Sequence, residues 1–398
     1  MELKKTERIR NQVLERLDVT RELTDEEILN EIRSVICELG QQEALSLDER
    51  LNLQKDIYNS LRRLDVLQDL LDSEDVTEIM INGPDNIFVE RKGVIEKSEK
   101  RFFSEEKLYD VIQQIVGANN QIVNESNPIV DTRLGDGSRV NIVLPPIAVD
   151  GCILSIRRFP SEPINMKRLL ELNSISDEMV SFLKKVIAAG YNIFVSGGTG
   201  SGKTTFLNAL TEFIPKGQRV ITIEDSAELQ VIGVDNLVRL EARDANMEGK
   251  LEVTIRDLVR SSLRMRPDRI IVGECRGAEA LEVLQANNTG HDGSLSTGHA
   301  NSTRDMIARL ETMVLMAGME LPVSAIRQQI ASGIDLFVHL GRLQDGSRKV
   351  LEIAEVTGFE NGEVMLQTLY EYVGKEGMLW EKRNELQHTR KLVMAGMN

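Results

Sequence analysis

Residues 191–210 read Tyr191-Asn192-Ile193-Phe194-Val195-Ser196-Gly197-Gly198-Thr199-Gly200-Ser201-Gly202-Lys203-Thr204-Thr205-Phe206-Leu207-Asn208-Ala209-Leu210. The first six form a short apolar run that predicts a buried strand, and the run from Thr205 predicts a helix. Between them lies the spacing G-x-x-x-x-G-K-T, in the strand–loop–helix setting that a phosphate-binding loop requires. Gly197, Gly198, Gly200 and Gly202 allow backbone N–H groups to converge on phosphate oxygens, and the helix N-terminus adds partial positive charge. Lys203 is placed to reach β- and γ-phosphates, and the Thr204 hydroxyl to hold Mg²⁺. Gly197 to Thr205, with Thr199, Ser201 and Thr205 among them, is the expected nucleotide site.

Downstream, strands alternate with helices, the pattern of a mostly parallel sheet. Arg219-Val220-Ile221-Thr222-Ile223-Glu224-Asp225 predicts a core strand ending in two carboxylates. Ligands of parallel sheets gather at strand C-termini, so Glu224 and Asp225 are candidates for Mg²⁺, partly through water. Arg269-Ile270-Ile271-Val272-Gly273-Glu274 predicts another such strand. A Walker B strand usually ends in Asp; Gly273 takes that place here, and Glu274 follows. Glu274 has the chemistry to orient or deprotonate an attacking water. Two of the four histidines, His291 and His299, lie in the stretch from Thr289 to Asn301. No H-E-x-x-H or Cys/His cluster accompanies them, so the stretch is read as a γ-phosphate sensor rather than a zinc site. His339 and His388 have no such setting and are expected to be structural or on the surface.

Upstream, residues 1–72 predict helices. Thr24–Glu27 and Ser46–Glu49 are capping boxes, and Leu61, Leu64, Leu67, Leu70 and Leu71 extend an apolar stripe past the second. From Val76 the period changes to two. Val76–Ile81, Ile87–Glu90, Thr132–Leu134, Arg139–Val143 and Cys152–Ile156 predict strands, Glu105–Val116 a helix, and Asn82–Asp85, Lys92-Gly93 and Asp136-Gly137 turns. This gives a compact α+β domain over 73–160. Phe159-Pro160-Ser161-Glu162-Pro163 is the linker candidate, since two prolines favour an extended segment. The string Arg-Leu-x-Asp-Gly-Ser-Arg occurs at 133–139 and again at 342–348 with unmatched flanks, which predicts two similar hairpin turns rather than a repeat architecture.

Composition narrows the class. The chain has 398 residues, with 48 Lys plus Arg against 63 Asp plus Glu, a net charge of −15. An acidic surface repels phosphate backbones, so no nucleic-acid partner is expected. Three scattered cysteines, without a CxxC pair, exclude a disulfide framework and fit a reducing compartment. The N-terminal stretch MELKKTERIRNQVLERLD has no apolar core of a secretory signal. No apolar run approaches the roughly 18 residues of a membrane-spanning helix. A cytoplasmic, multidomain chain is expected.

Taken together, these segments resemble the secretion ATPase superfamily, which powers type II and type IV secretion and type IV pili. The Walker A loop at Gly197–Thr204, the Asp box around Glu224 and Asp225, the atypical Walker B at Ile270–Glu274 and the His box at Thr289–Ala300 follow in that family's order. Val76–Gly83, Asp131–Asn141 and Ser155–Phe159 are similar to the CpaF/TadA branch, the motors of tight-adherence (Flp) pili. The resemblance covers roughly residues 60–370. It implies an α/β, RecA-like ATPase domain over 161–398, preceded by a PAS-like domain and the helical region. It further implies ATP and Mg²⁺ as ligands, a homo-oligomeric, hexameric ring, and a cytoplasmic location at the inner or plasma membrane. An integral-membrane platform protein is the implied partner. By motif position, Arg133, Arg139, Arg157 and Arg158 are the arginines that clamp phosphates, with Glu274, Lys203 and His299 as the other catalytic residues.

The leading expectation is therefore an ATP-driven motor that assembles, or also retracts, a tight-adherence or type IV-like pilus. The alternative is a type IV secretion (conjugation) ATPase. A DNA-translocating RecA-like motor is disfavoured by acidity and by one Trp and five Tyr, which offer little for stacking single strands. A kinase needs an acceptor site that no segment supplies. A non-hydrolysing scaffold is at odds with intact Lys203, Thr204 and Glu274.

Overall fold

The computed structural model describes residues 2–397 except 19, 22, 43–44, 92, 159–162, 244–251 and 376–377. The linker candidate Phe159–Pro163 lies outside the described residues but for Pro163, as does Lys92 of one expected turn. The chain falls into two compact units, residues 1–161 and 162–398.

The first unit opens with α1 (Glu2–Arg16), α2 (Asp25–Gln42) and α3 (Leu47–Arg62). Both capping boxes form. Thr24 Oγ1 accepts from the Glu27 N–H at 3.3 Å while Glu27 accepts from the Thr24 N–H at 2.8 Å, and Ser46 and Glu49 exchange the same pair. The three helices bury Ile9, Ile32, Val35, Leu53 and Ile57 against one another. The leucine stripe does not continue along one helix. Asp65 takes a φ of +54°, which breaks α3, and its carboxylate caps α4 (Val66–Leu71). Leu61 therefore stays with the helical core, while Leu64, Leu67, Leu70 and Leu71 turn into a separate core under a sheet.

That sheet holds β1 (Val76–Asn82), β2 (Ile87–Arg91), β3 (Val94–Lys97), β4 (Ile129–Arg133), β5 (Arg139–Val143) and β6 (Ile153–Arg157), with α5 (Glu105–Ala118) between β3 and β4 in sequence. Its order is β3-β2-β1-β6-β5-β4, antiparallel throughout. The alternation seen in the sequence buries Ile79, Ile81, Val140, Ile142, Leu154 and Ile156 with Leu108 and Ile112 of α5.

The second unit contains α6 (Met166–Glu171), α7 (Asp177–Ala188), β7 (Ile193–Gly197), α8 (Lys203–Thr211), β8 (Arg219–Glu224), β9 (Asn236–Glu241), α9 (Ile255–Ser262), β10 (Arg269–Val272), α10 (Glu279–Asn288), β11 (Leu295–His299), α11 (Thr303–Leu315) and α12 (Val323–Gly333). It finishes with β12 (Leu336–Arg342), β13 (Arg348–Glu360), β14 (Glu363–Lys375), β15 (Met378–Lys382) and α13 (Arg390–Met394). Among the described residues these strands form one mixed sheet, in the order β15-β14-β13-β12-β7-β11-β10-β8-β9. Strands β12 to β9 in that order run parallel, and β12 to β15 antiparallel. Helices α6–α8 pack on one face and α9–α12 on the other. This is the α/β class expected from the alternation of strands and helices. Every residue of β7 is buried, as a central strand covered on both faces requires. No helix among the described residues is long and apolar enough to cross a membrane.

Candidate active site

The C-terminal ends of β7, β8, β10 and β11 lie side by side, which brings four separate sequence segments to one edge of the sheet. The chain leaves β7 at Gly197, where a side-chain carbon would stand 2.6 Å from both the Leu340 carbonyl oxygen and Ser201 Oγ. Only glycine lets the loop turn so tightly over the neighbouring strand. Gly202, at a φ of +91°, starts α8 without any side-chain cap, so the first-turn N–H groups of that helix are left for a ligand.

The carbonyl oxygen of Gly198 lies inside this loop. It accepts from Ser201 Oγ at 2.8 Å, from Lys203 Nζ at 3.0 Å and from the Ser201 N–H at 3.4 Å. These are the donors that a phosphate oxygen would take over. Lys203 is only 7% exposed, and burial lowers its pKa, an effect that Glu274 opposes. Thr204 and Thr205 are half-buried in the first turn of α8; Thr199 is exposed. A cavity of about 430 Å³ adjoins the loop, with Gly198, Thr199, His299, Asn301, Asp305 and Arg309 in its wall.

Glu274 follows β10. His299 Nε2, at the end of β11, stands 2.9 Å from Glu274 Oε1, and His299 Nδ1 3.3 Å from Lys203 Nζ. Burial and the Lys203 charge lower the His299 pKa. Glu274 Oε2 accepts from Arg276 Nη2 at 2.8 Å, whereas Oε1 is buried without a hydrogen-bond partner. Arg276 also reaches Asp225 Oδ2 at 3.3 Å, so one guanidinium joins the Asp box to the end of β10. Sequence reasoning missed Arg276; the available signal was a cation two positions past a candidate catalytic carboxylate. His339 is 6% exposed, with Nδ1 2.9 Å from Ser196 Oγ, and belongs to the floor beneath the loop rather than to the surface. His388 is exposed, near Glu355, and His291 lies at the opposite end of β11 from His299.

Glu224 and Asp225 diverge. Asp225 is exposed and paired with Arg276. Glu224 is 3% exposed, and its Oε1 accepts the N–H groups of Glu228 at 2.8 Å and Leu229 at 2.9 Å. Burial raises its pKa, and those two N–H groups oppose the rise. Its other oxygen, Oε2, is buried without a partner. A side-chain carbon on Gly273 would stand 2.8 Å from Glu224 Cγ. The glycine at the usual Walker B Asp position thus makes room for a carboxylate from the adjacent strand. The donors suit Mg²⁺: that ion takes one or two carboxylates, waters and substrate phosphates rather than an all-protein cage. The orphaned Glu224 oxygen and the Thr204 hydroxyl are of that kind. Among the described residues no group of three or more His, Cys, Asp or Glu gathers as a metal site.

The four arginines of the first unit part company. Arg133 pairs across the sheet with Arg139, Arg139 with Arg157, and Arg157 with Glu78. Directly opposed residues share a face, so three guanidinium groups form a row along one face. Arg157 is exposed, 3.7 Å from Glu78. Arg158, the next residue, points to the other face, and its Nη1 donates to the carbonyls of Ser73 and Val76.

Comparison with known proteins places these features in context. The profile of the family described as "Type II/IV secretion system protein" matches residues 61–377. A putative conjugal transfer protein of Mycobacterium tuberculosis is 35% identical over 311 residues, covering 77% of this chain and 87% of that protein. The type IV secretion system protein VirB11 of Brucella suis is 33% identical over 321 residues, covering 74% and 88%. The X-ray structure of the Legionella pneumophila ATPase DotB is similar at a TM-score of 0.52 and 25% identity, covering 73% and 79%.

Proposed function

The chain belongs to the type II/IV secretion system protein family, and from that premise we propose that it is an ATP-hydrolysing motor of a membrane secretion system, working as a homo-oligomeric, hexameric ring at the cytoplasmic face of the membrane. The observation that carries this reading is the line of contacts from Lys203 through His299 and Glu274 to Arg276 and Asp225. It ties all four strand ends to the loop, as a site that senses a terminal phosphate needs.

In this reading ATP lays its β- and γ-phosphates along the N–H groups of 198–204, and Lys203 leaves the Gly198 carbonyl for them. Thr204 and Glu224 would hold Mg²⁺, which would supply positive charge to the phosphate oxygens. Oε1 of Glu274, which accepts no hydrogen bond although His299 Nε2 lies 2.9 Å away, accepts the proton of the attacking water, while Arg276 holds the other oxygen. His299 reports the terminal phosphate to Glu274. By motif position Arg133, Arg139 and Arg157 are the arginines proposed to meet phosphate, and planar guanidinium groups suit that role; Arg157 lies 3.7 Å from Glu78. Arg158 is occupied by backbone carbonyls and serves the first unit's own structure.

The relatives' names favour a type IV secretion, conjugal-transfer role over a tight-adherence pilus. The pilus reading rests on Val76–Gly83, Asp131–Asn141 and Ser155–Phe159 and stands second. Phosphate release from Mg-ATP, measured against protein concentration with particle mass in parallel, tests the motor. Specific activity should rise as rings form and should not respond to DNA; full activity from a monomer would refute the ring. Deleting the gene in its host separates the branches, by loss of substrate transfer in one case and of surface pili in the other.

A further inference from the structure

The two copies of Arg-Leu-x-Asp-Gly-Ser-Arg fold into the same turn. At 133–139, the Gly137 N–H donates to Leu134 O at 2.9 Å, the Leu134 N–H to Ser138 O at 2.9 Å, and the Ser138 N–H to the Asp136 carboxylate at 2.9 Å. At 342–348, Gly346, Leu343, Ser347 and Asp345 repeat those bonds at 3.0, 2.8 and 2.8 Å. Gly137 and Gly346 take matching φ values of +89° and +82°. The turn sets where its closing arginine begins. In the second copy that arginine, Arg348, starts β13, whose partner β12 is the direct neighbour of β7. Arg348 Nε donates to the Gly200 carbonyl at 2.9 Å. Its stem borders the loop as well: a side-chain carbon on Gly202 would stand 3.3 Å from Arg348 Cδ.

One peptide group carries the consequence. The Gly200 C=O and the Ser201 N–H belong to one planar trans peptide and point in opposite directions. Holding that carbonyl outward at Arg348 aims the Ser201 N–H into the loop, where it makes only a long, 3.4 Å contact with Gly198 O. A contact that long is readily exchanged for a phosphate oxygen. We propose that Arg348 is a positioning residue for nucleotide phosphates, acting through the Gly200–Ser201 peptide from the loop's own unit. This rests on the nucleotide-binding reading above. Because the loop's amides grip the β-phosphate, ADP and ATP depend on Arg348 alike.

The test uses the full chain, with equilibrium binding of Mg-ADP and Mg-ATP followed by a fluorescent analogue, together with steady-state kinetics. A charge-assisted hydrogen bond at an exposed position is worth about a tenfold change in affinity. Arg348→Ala should therefore raise Kd for both nucleotides by about tenfold and raise KM with a smaller change in kcat. Arg348→Lys should recover part of the loss, since it keeps the charge without the fixed fork. The unfolding midpoint should not move; if Ala lowers it, Arg348→Met, which keeps an unbranched stem and has no donor, gives the same reading. An unchanged Kd for ADP in the Ala or Met variant overturns the proposal. Lys203→Ala separates the two levels: if it weakens ADP binding while Arg348→Ala does not, this inference alone fails. If neither weakens binding, the nucleotide site itself is wrong.

Discussion

His299 Nε2 stands 2.9 Å from Oε1 of Glu274. The other ring nitrogen faces Lys203 Nζ, an ammonium that can only donate, so Nδ1 must accept and Nε2 carries the proton. The lowered pKa of His299 agrees with a neutral ring. Yet Glu274 Oε1 forms no hydrogen bond, so the N–H does not point along the short approach. A ligand that draws Lys203 away from Gly198 would re-aim the imidazole and bring the carboxylate under its control.

If that relationship governs turnover, His299→Ala should lower kcat by roughly tenfold to a hundredfold with little change in nucleotide Kd. Arg276→Ala, which frees the other oxygen of Glu274, should do the same. Because both act on one carboxylate, the double variant should lose less than the product of the two effects. A fully multiplicative loss in phosphate release would show the two residues to be independent.

Lys203→Ala should abolish hydrolysis and weaken nucleotide binding, because it removes the charge on the β- and γ-phosphates. Glu274→Gln should bind ATP as the parent does and lose at least about a hundredfold in turnover, since an amide cannot take the water's proton. Binding titration beside single-turnover phosphate release distinguishes the two. Parent-like hydrolysis by Glu274→Gln would remove the general base assigned here.

Gly273→Asp restores the usual Walker B residue in the sequence but drives a side chain into Glu224 Cγ, 2.8 Å from where its first carbon would stand. Overpacking of this kind costs about 1–3 kcal/mol, seen as a lower unfolding midpoint. Adding Glu224→Gly should return most of that stability. A Gly273→Asp variant as stable as the parent would mean that the two carboxylates do not compete for the space.

Burial lowers the pKa of His339. Below the ordinary histidine value the unfolded chain binds a proton that the folded one resists, so this residue's stabilising effect is full above about pH 6.5 and declines as pH falls through the depressed folded value. Unfolding midpoints of the parent should therefore drop between pH 7.5 and about 5.5 by more than those of His339→Gln. Comparing the two proteins cancels other titrating groups, including Glu224, whose raised pKa acts in the opposite sense. Parallel pH profiles would place the coupling elsewhere.

The loop, the capping boxes and the paired hairpin turns were legible in the sequence because each is set by neighbours in the chain: a glycine that must take positive φ, a hydroxyl three residues before a carboxylate, an aspartate beside its own turn. The α/β class was legible for the same reason, since period and element length are local. Which strand end meets which is not local. That Glu224 occupies the space left by Gly273, that Arg276 bridges Asp225 and Glu274, and that His339 sits buried against Ser196 follow from strand order. What Arg158 meets is equally non-local: its guanidinium donates to the Val76 carbonyl, while Arg157 next to it lies 3.7 Å from Glu78. Such contacts join residues tens to more than a hundred positions apart, and only folding decides them, because burying both faces of the central strands selects one arrangement of neighbours.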